Sequence, residues 1–383
     1  MPPFISEAHS EACAEQFLKS PTVTTHYGHG RDHKLHLSVT ADELEAVIDE
    51  IDSLIHDKLP RIARKMVKSS ATLILGTLDE DWAAQKAHDR GRIDEFRERL
   101  EERWGEAFDI LRMIYTITIE VGNEVAKRWR RPTKKQGELR HALLHLHARA
   151  CQVTNEIICL MENGLADGAM ARWRTLHEIR VVAKLIGKHG NELALRYLAH
   201  EAVEAKRGMD RFMLCHEAHG YPPMTKRETK EVERNYASVL ERFGDNFGSQ
   251  YGWAAVHLDM RKPRFDDLEV AAGKITMRSH YQMASYNVHA TTKGITFRLG
   301  LLDDSGITAL AGASNAGFVD PAYNTAQALI EMTNLLFRSG RFDELIELEI
   351  LIGLLGRLPA ALDSANSELE RDHRTQRALA RSR

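Results

Sequence analysis

The chain has 383 residues, of which 43% are apolar and 28% charged, and its net charge is −3. That is enough chain to bury one large core or two ordinary ones. The charge balance excludes a global basic field, so any contact with nucleic acid must come from a local patch.

Four cysteines (Cys13, Cys151, Cys159, Cys215) show no pairing pattern. In a chain of this length that points to free thiols in a reducing compartment. Residues 1–17 have neither a basic n-region nor an apolar h-region, so they do not read as a secretory signal. No run of about 18 apolar residues exists to span a membrane. The expected location is the cytoplasm.

Apolar spacing of 3.6 residues dominates and strand signals are nearly absent, so the expected fold is all-α. Residues 1–39 read as an irregular, His-rich segment. Thr40, with Glu43 at the capping-box position, starts a helix over 41–68 that Pro60 should kink or divide. A charged helix follows over 89–131 and stops at Pro132. Further helices are expected over 136–163, 166–189, 191–218, 224–244, 274–298, 321–339 and 342–369. Gly164, Gly190, Gly220 and Gly340 sit where C-caps belong. Residues 245–272 read as loop-rich. Residues 300–320 read as a long Gly-rich connection of the kind that tends to be functional. The tail 366–383 carries too few apolar groups to pack. The organisation expected is an irregular segment (1–39), a helical region (40–133), a bundle-like core (134–345) and a C-terminal helix with a charged tail (346–383).

Two constellations can carry chemistry. In the apolar helix 166–189, Arg174 and Glu178 are four residues apart on a stripe otherwise filled by Met170, Val181, Val182 and Leu185. Two charges there are costly unless they pair or line a pocket. In the helix expected over 274–298, Arg278, Tyr281, Ser285, His289, Thr292 and Thr296 fall within about 80° of one another. Such a stripe offers a titratable imidazole, hydroxyls and a guanidinium to a polar ligand, and His289 suits general acid–base work near neutral pH. A Ser–His pair on one helix is not a triad geometry, so Ser285 reads as a hydrogen-bonding group more than a nucleophile.

Weaker signals lie beside these. Arg128, Arg130, Arg131, Lys134 and Lys135 crowd a helix end around Trp129, as a solvated cap or as a phosphate-contacting patch. His26, His29, His33 and His36 lie in a polar segment that would have to fold around an ion. Glu138, His141 and His145 share a helical face, but the partner Glu-x-x-His motif is missing from the core. The spacing Gly312-x4-Gly317 lacks the Lys-Ser/Thr and the preceding strand of a nucleotide loop. Neither a metal nor a cofactor is expected. Ser314 and Asn315, in that loop, are expected to close beside Ser285 and His289 and reach a ligand.

The segment ARWRTLHE (Ala171 to Glu178), the spacing of Tyr281, Ser285 and His289 in YQMASYNVH, and the loop GASNAGFVDPA (Gly312 to Ala322) resemble the DUF5677 family over about 140–340. The helical core and late histidine bear a more distant similarity to HEPN-type domains, many of which are RNA-cutting toxins or antiviral effectors. That second resemblance implies an Arg-x4–6-His pair, which Arg172 and His177 supply here, although Trp173 replaces the polar neighbour usual after the arginine. The same spacing recurs at Arg31–His36 and Arg140–His145. It also implies a metal-independent ribonuclease acting across a homodimer on RNA. His177 or His289 would then take the 2′-hydroxyl proton and an arginine would steady the phosphorane. The alternative expectation is a non-enzymatic helical sensor or scaffold that binds a small polar ligand or a protein through the same groups.

Overall fold

The computed structural model describes residues 40–129, 136–302, 309–337 and 340–382. All regular elements among them are helices, so the all-α expectation holds. No described helix is long and apolar enough to cross a membrane. The chain divides into two compact units, Met1–Arg92 and Ile93–Arg383.

In the first unit, α1 (Ala41–Ser53) begins at Thr40. The Thr40 hydroxyl accepts the Glu43 amide, and the Glu43 carboxylate accepts the Thr40 amide. A π-helical turn, Leu54–Lys58, then leads into α2 (Leu59–Trp129). Pro60 does not end the helix. Proline lacks an amide hydrogen and its ring crowds the carbonyl four residues back. The wider turn immediately before it, closed by the Leu59 amide on the Leu54 carbonyl, accommodates that defect. The break expected between residues 68 and 89 is absent.

The second unit holds the core. Along α2, Leu100, Trp104, Phe108, Leu111, Ile114, Val121 and Val125 are buried at three-, four- and seven-residue steps. Next come α3 (Gly137–Glu162), α4 (Ala166–His189), α5 (Asn191–Ala199), α6 (Glu201–Cys215) and α7 (Lys226–Phe243). α4 is central and packs on α3, on α5, on α8 (Phe265–Ala271), on α9 (Arg278–Tyr286) and on α11 (Val319–Asn334). Trp173, Leu176, Leu185 and Ile186 of α4 are fully buried. Each such side chain contributes roughly 1.5–3 kcal/mol by leaving water. Gly164 (φ 77°) and Gly190 (φ 79°) end α3 and α4 in the left-handed region that a side chain would strain.

Three expectations about elements are corrected. The helix over 191–218 divides at His200, whose buried ring turns inward to donate to the Ser249 carbonyl and to meet Phe247 edge-on. The helix over 274–298 becomes a 3₁₀ turn (Ile275–Met277), α9, and the short α10 (Thr292–Thr296). Thr291 caps α10 through its hydroxyl, which accepts the Gly294 amide, and so competes with a continuous helix. The tail packs after all: α12 (Phe342–Arg381) buries Leu369, and Asp372 pairs with Arg103.

Candidate functional site

The centre of the second unit contains a polar chain inside apolar surroundings. His177, Arg180 and Glu269 are all fully buried. Arg180 Nη2 lies 2.6 Å from His177 Nδ1, and His177 Nε2 lies 2.9 Å from Glu269 Oε1. A guanidinium can only donate, so Nδ1 carries the lone pair and Nε2 carries the hydrogen. Arg278 Nη1 donates to the other carboxylate oxygen, Oε2, at 2.6 Å. Lys274 Nζ donates to Glu331 at 2.6 Å, and that carboxylate also faces Arg180 at 3.8 Å. Burial, then the Arg180 charge, pushes the His177 imidazole down to about 3. Burial raises the Glu269 carboxyl against the pull of Arg278.

Outside this chain lies a second layer that reaches solvent. Tyr281 OH donates to Glu178 Oε1 at 2.6 Å, and Arg174 Nε approaches Glu178 at 3.3 Å. The guanidiniums of Arg174 and Arg278 sit over the Tyr281 ring at 4.7 and 5.3 Å. Arg174 Nη1 is 3.5 Å from Nε2 of His289, which is exposed. Burial first, then its hydrogen bond to Glu178, raises the Tyr281 phenol. Arg174 and Glu178 are half-buried, at 24% and 39% side-chain exposure, and do not sit inside the apolar stripe. A pair so wetted contributes at most about 1 kcal/mol to stability, so its arrangement calls for another explanation.

Arg174, Glu178 and Val182 follow at four-residue steps along one face of α4. Val182 lines a pocket of about 660 Å³ with Tyr197, Glu204, Arg207, Arg211, Tyr251 and Trp253. Arg207 is steadied by donating to the Gly248 carbonyl at 2.7 Å, and Arg211 is exposed. Its hydrogen bond to His200 lowers the Glu204 carboxyl. Burial raises the Tyr251 phenol, with the Glu178 charge adding to the rise and Arg174 opposing it. Tyr251 thus links the pocket electrostatically to the Arg174–Glu178 pair.

The structure therefore brings together Arg174, Glu178, Tyr281, Arg278 and His289. The six-residue stripe does not survive whole, because the helix ends at Tyr286. Ser285 donates to the Tyr281 carbonyl at 2.8 Å and Thr296 to the Thr292 carbonyl at 3.1 Å, both within their own helices. Arg172 and His177 do not form a pair. Five residues on a helix turn the direction by about 140°. Arg172 accordingly bonds Glu156 of α3 while His177 faces Glu269. His177, buried and with its lone pair held by Arg180, is not placed to act as a base.

Ser314 and Asn315 do not join this site. The Ser314 hydroxyl donates to the Gly300 carbonyl at 2.6 Å and its amide to the Gly164 carbonyl at 2.9 Å. The Asn315 carbonyl accepts from Trp104 Nε1 at 2.9 Å. Phe318 then packs edge-on against Trp104 and Phe108. The Gly-rich segment thus seals the α2 side of the core and lines a separate groove with Arg99, Arg103 and His373. Arg128 bonds the buried Glu344 at 2.9 Å, which ties it to α12. Arg130, Arg131, Lys134, Lys135 and the four histidines 26, 29, 33 and 36 lie outside the described residues. Glu138 accepts from Asn191, and His145 is bonded to the His141 carbonyl. Among the described residues no cluster of three histidine, cysteine or acidic side chains is arranged to hold a metal ion.

Sequence reasoning missed Arg180, Glu269, Lys274, Glu331 and Tyr251. Arg180 had a signal, being a charge three residues after a histidine in an otherwise apolar helix. Glu269 had none, since Asp266 and Asp267 beside it look the same. A Cys–His pair is also present: the Cys151 thiol reaches His147 Nδ1 at 3.7 Å, and His147 Nε2 reaches Thr333 Oγ1 at 3.2 Å. Burial pushes the thiol up to about 12 and the imidazole down to about 4. Both stay neutral, so this pair is packing and not a nucleophile.

Residues 140–307 match the model of DUF5677, a family of unknown function. The resemblance carried by ARWRTLHE and YQMASYNVH is borne out over that span, and the match ends before the GASNAGFVDPA loop. The similarity to HEPN domains has no such support. No curated protein and no solved structure matches the chain.

Proposed function

We propose that the DUF5677 segment of this chain is a ligand-binding helical module, and that its pocket takes a small molecule combining a flat ring with an anionic group. The observation that carries this reading is the pocket beside the Arg174–Glu178 pair. Tyr197 and Tyr251 offer ring surface, with the buried Trp253 packed edge-on against Tyr197, while Arg207 and Arg211 offer two cations against the single carboxylate Glu204. Beside the pocket, Tyr281 and Arg174 both contact Glu178, and Arg278 of the polar chain sits over the Tyr281 ring, so these neighbouring side chains are organised before anything binds.

Mononucleotides are the natural probes, having both a ring and a phosphate. At a hundredfold excess over Kd, a bound nucleotide should raise the melting temperature by about 5 °C. Arg211→Glu reverses an exposed charge and should abolish that rise without lowering the melting temperature of the unliganded protein. No stabilisation by any mononucleotide or by inorganic phosphate sinks this reading.

One contact favours a second reading, ribonuclease action. Arg174 and the exposed His289 are 3.5 Å apart. His289 would take the 2′-hydroxyl proton as the 2′-oxygen attacks phosphorus and the 5′-oxygen leaves, with Arg174 facing the charged phosphorane. The purified protein should then cut single-stranded RNA without added metal, and His289→Ala should slow cutting by about 10²–10⁴-fold. RNA left intact, or cut equally by the variant, rejects it.

A further inference from the structure

The first unit carries an apolar seam that nothing among its described residues covers. Among the described residues, no side chain before Leu100 is buried. Leu44, Ile51, Leu59, Met66 and Leu73 form one row, at 39–73% exposure. Val47, Leu54 and Ile62 form a second row three residues further on, at 43–52% exposure in the case of Val47, Leu54 and Ile62. Successive members of each row are seven residues apart, except across the π turn, where Ile51 to Leu59 and Leu54 to Ile62 are eight. A π turn holds one residue more than an α turn. The extra residue in the sequence and the extra residue in the backbone coincide, so the two rows stay in phase as a seam of a and d positions. A lone helix gains most of its stability by burying such a face, and apolar patches of this length mark interfaces.

Charge selects the occupant. Residues 41–57 carry seven acidic side chains and no lysine or arginine, whereas residues 58–68 carry five basic side chains (Lys58, Arg61, Arg64, Lys65, Lys68) and no acidic one. Two such helices side by side in parallel would set like charges against like. Side by side in opposite directions, each acidic half meets the other's basic half. We infer that residues 41–75 pair with the same segment of a second copy of this chain as an antiparallel coiled coil. Its two-fold axis lies near residue 56, with Val47 level with the partner's Met66 and Leu54 level with the partner's Leu59. Over about 30 residues the seam is about 45 Å long.

The full chain at micromolar concentration, studied by light scattering, should show twice its 43.4 kDa mass. Ile51→Ser with Ile62→Ser should halve that mass while circular dichroism keeps the helices of residues 93–383. A monomeric parent, or a double variant that stays dimeric, overturns the proposal. Orientation is read by cysteine cross-linking in a background with Cys13, Cys159 and Cys215 changed to serine. A chain bearing Val47→Cys mixed with one bearing Met66→Cys should form the mixed cross-link, at least tenfold above the Val47→Cys homodimer. The reverse ratio means parallel pairing and overturns it. Binding of the monomer to anionic lipid vesicles would give the seam to a membrane surface and likewise overturn it.

Discussion

Replacing Glu269 by alanine should lower the unfolding free energy by about 3–5 kcal/mol, the cost of leaving a buried charge without its counterion. Glu269 has no solvent exposure and is held by His177 on one oxygen and by Arg278 on the other. Its removal leaves Arg180, also fully buried, with Glu331 at 3.8 Å as its remaining opposite charge among the described residues. It also strips His177 Nε2–H of its acceptor, an unmet donor that adds about 1–3 kcal/mol of the total cost. Glu269→Gln keeps the shape and one acceptor, so it should be damaged less. Urea unfolding followed by circular dichroism reads both. The alanine variant would also release Arg278 from its place over Tyr281, and so loosen the Arg174–Glu178 layer. A Glu269→Ala protein as stable as the parent would show that the buried cluster is not held as a charge network.

Acid should destabilise the second unit well above the range where carboxylates titrate. His177 is lowered to about 3 and His147 to about 4 in the folded protein, each mainly by burial. Unfolded, both return to about 6.5. Below that pH the unfolded chain binds two protons that the folded chain refuses, so stability falls as pH falls. Each histidine costs about 1.36 kcal/mol per pH unit in this window, or about 2 kcal/mol at pH 5. Together they amount to about 4 kcal/mol. Glu269 works in the opposite direction: its raised folded pKa favours the folded state as it takes up a proton, and offsets part of the loss. Urea midpoints at pH 7 and pH 5 measure the sum. His147→Gln removes one of the two most strongly lowered imidazoles and should roughly halve the change. A midpoint unaffected by pH over this range would mean that both rings are solvated in the folded state.

These two effects arise where the sequence was least informative. The helices themselves were legible because each periodic apolar stripe is a local property. The helix expected over 166–189 is found at Ala166–His189, and Gly164 and Gly190 bound it in the left-handed conformation that glycine favours. The pairing of Arg174 with Glu178 was legible too, since four residues on a helix place two side chains together whatever surrounds them. The helix over 274–298 failed because a capping threonine, Thr291, outweighed the periodic pattern that continued past it.

What the residues determined on their own is the all-α class, the charge division between residues 41–57 and 58–68, and the pairs within a single helix. Only the tertiary structure decided which polar groups lie in the interior and which face water. Glu269 stands 92 residues beyond His177 in the chain and 2.9 Å from it in space. Ser314 and Asn315, expected beside His289, are drawn instead to Gly300, Gly164 and Trp104. Periodicity reports which face of a helix turns inward. It says nothing of which distant carboxylate, carbonyl or ring will meet that face, because that depends on how the separate helices pack against one another.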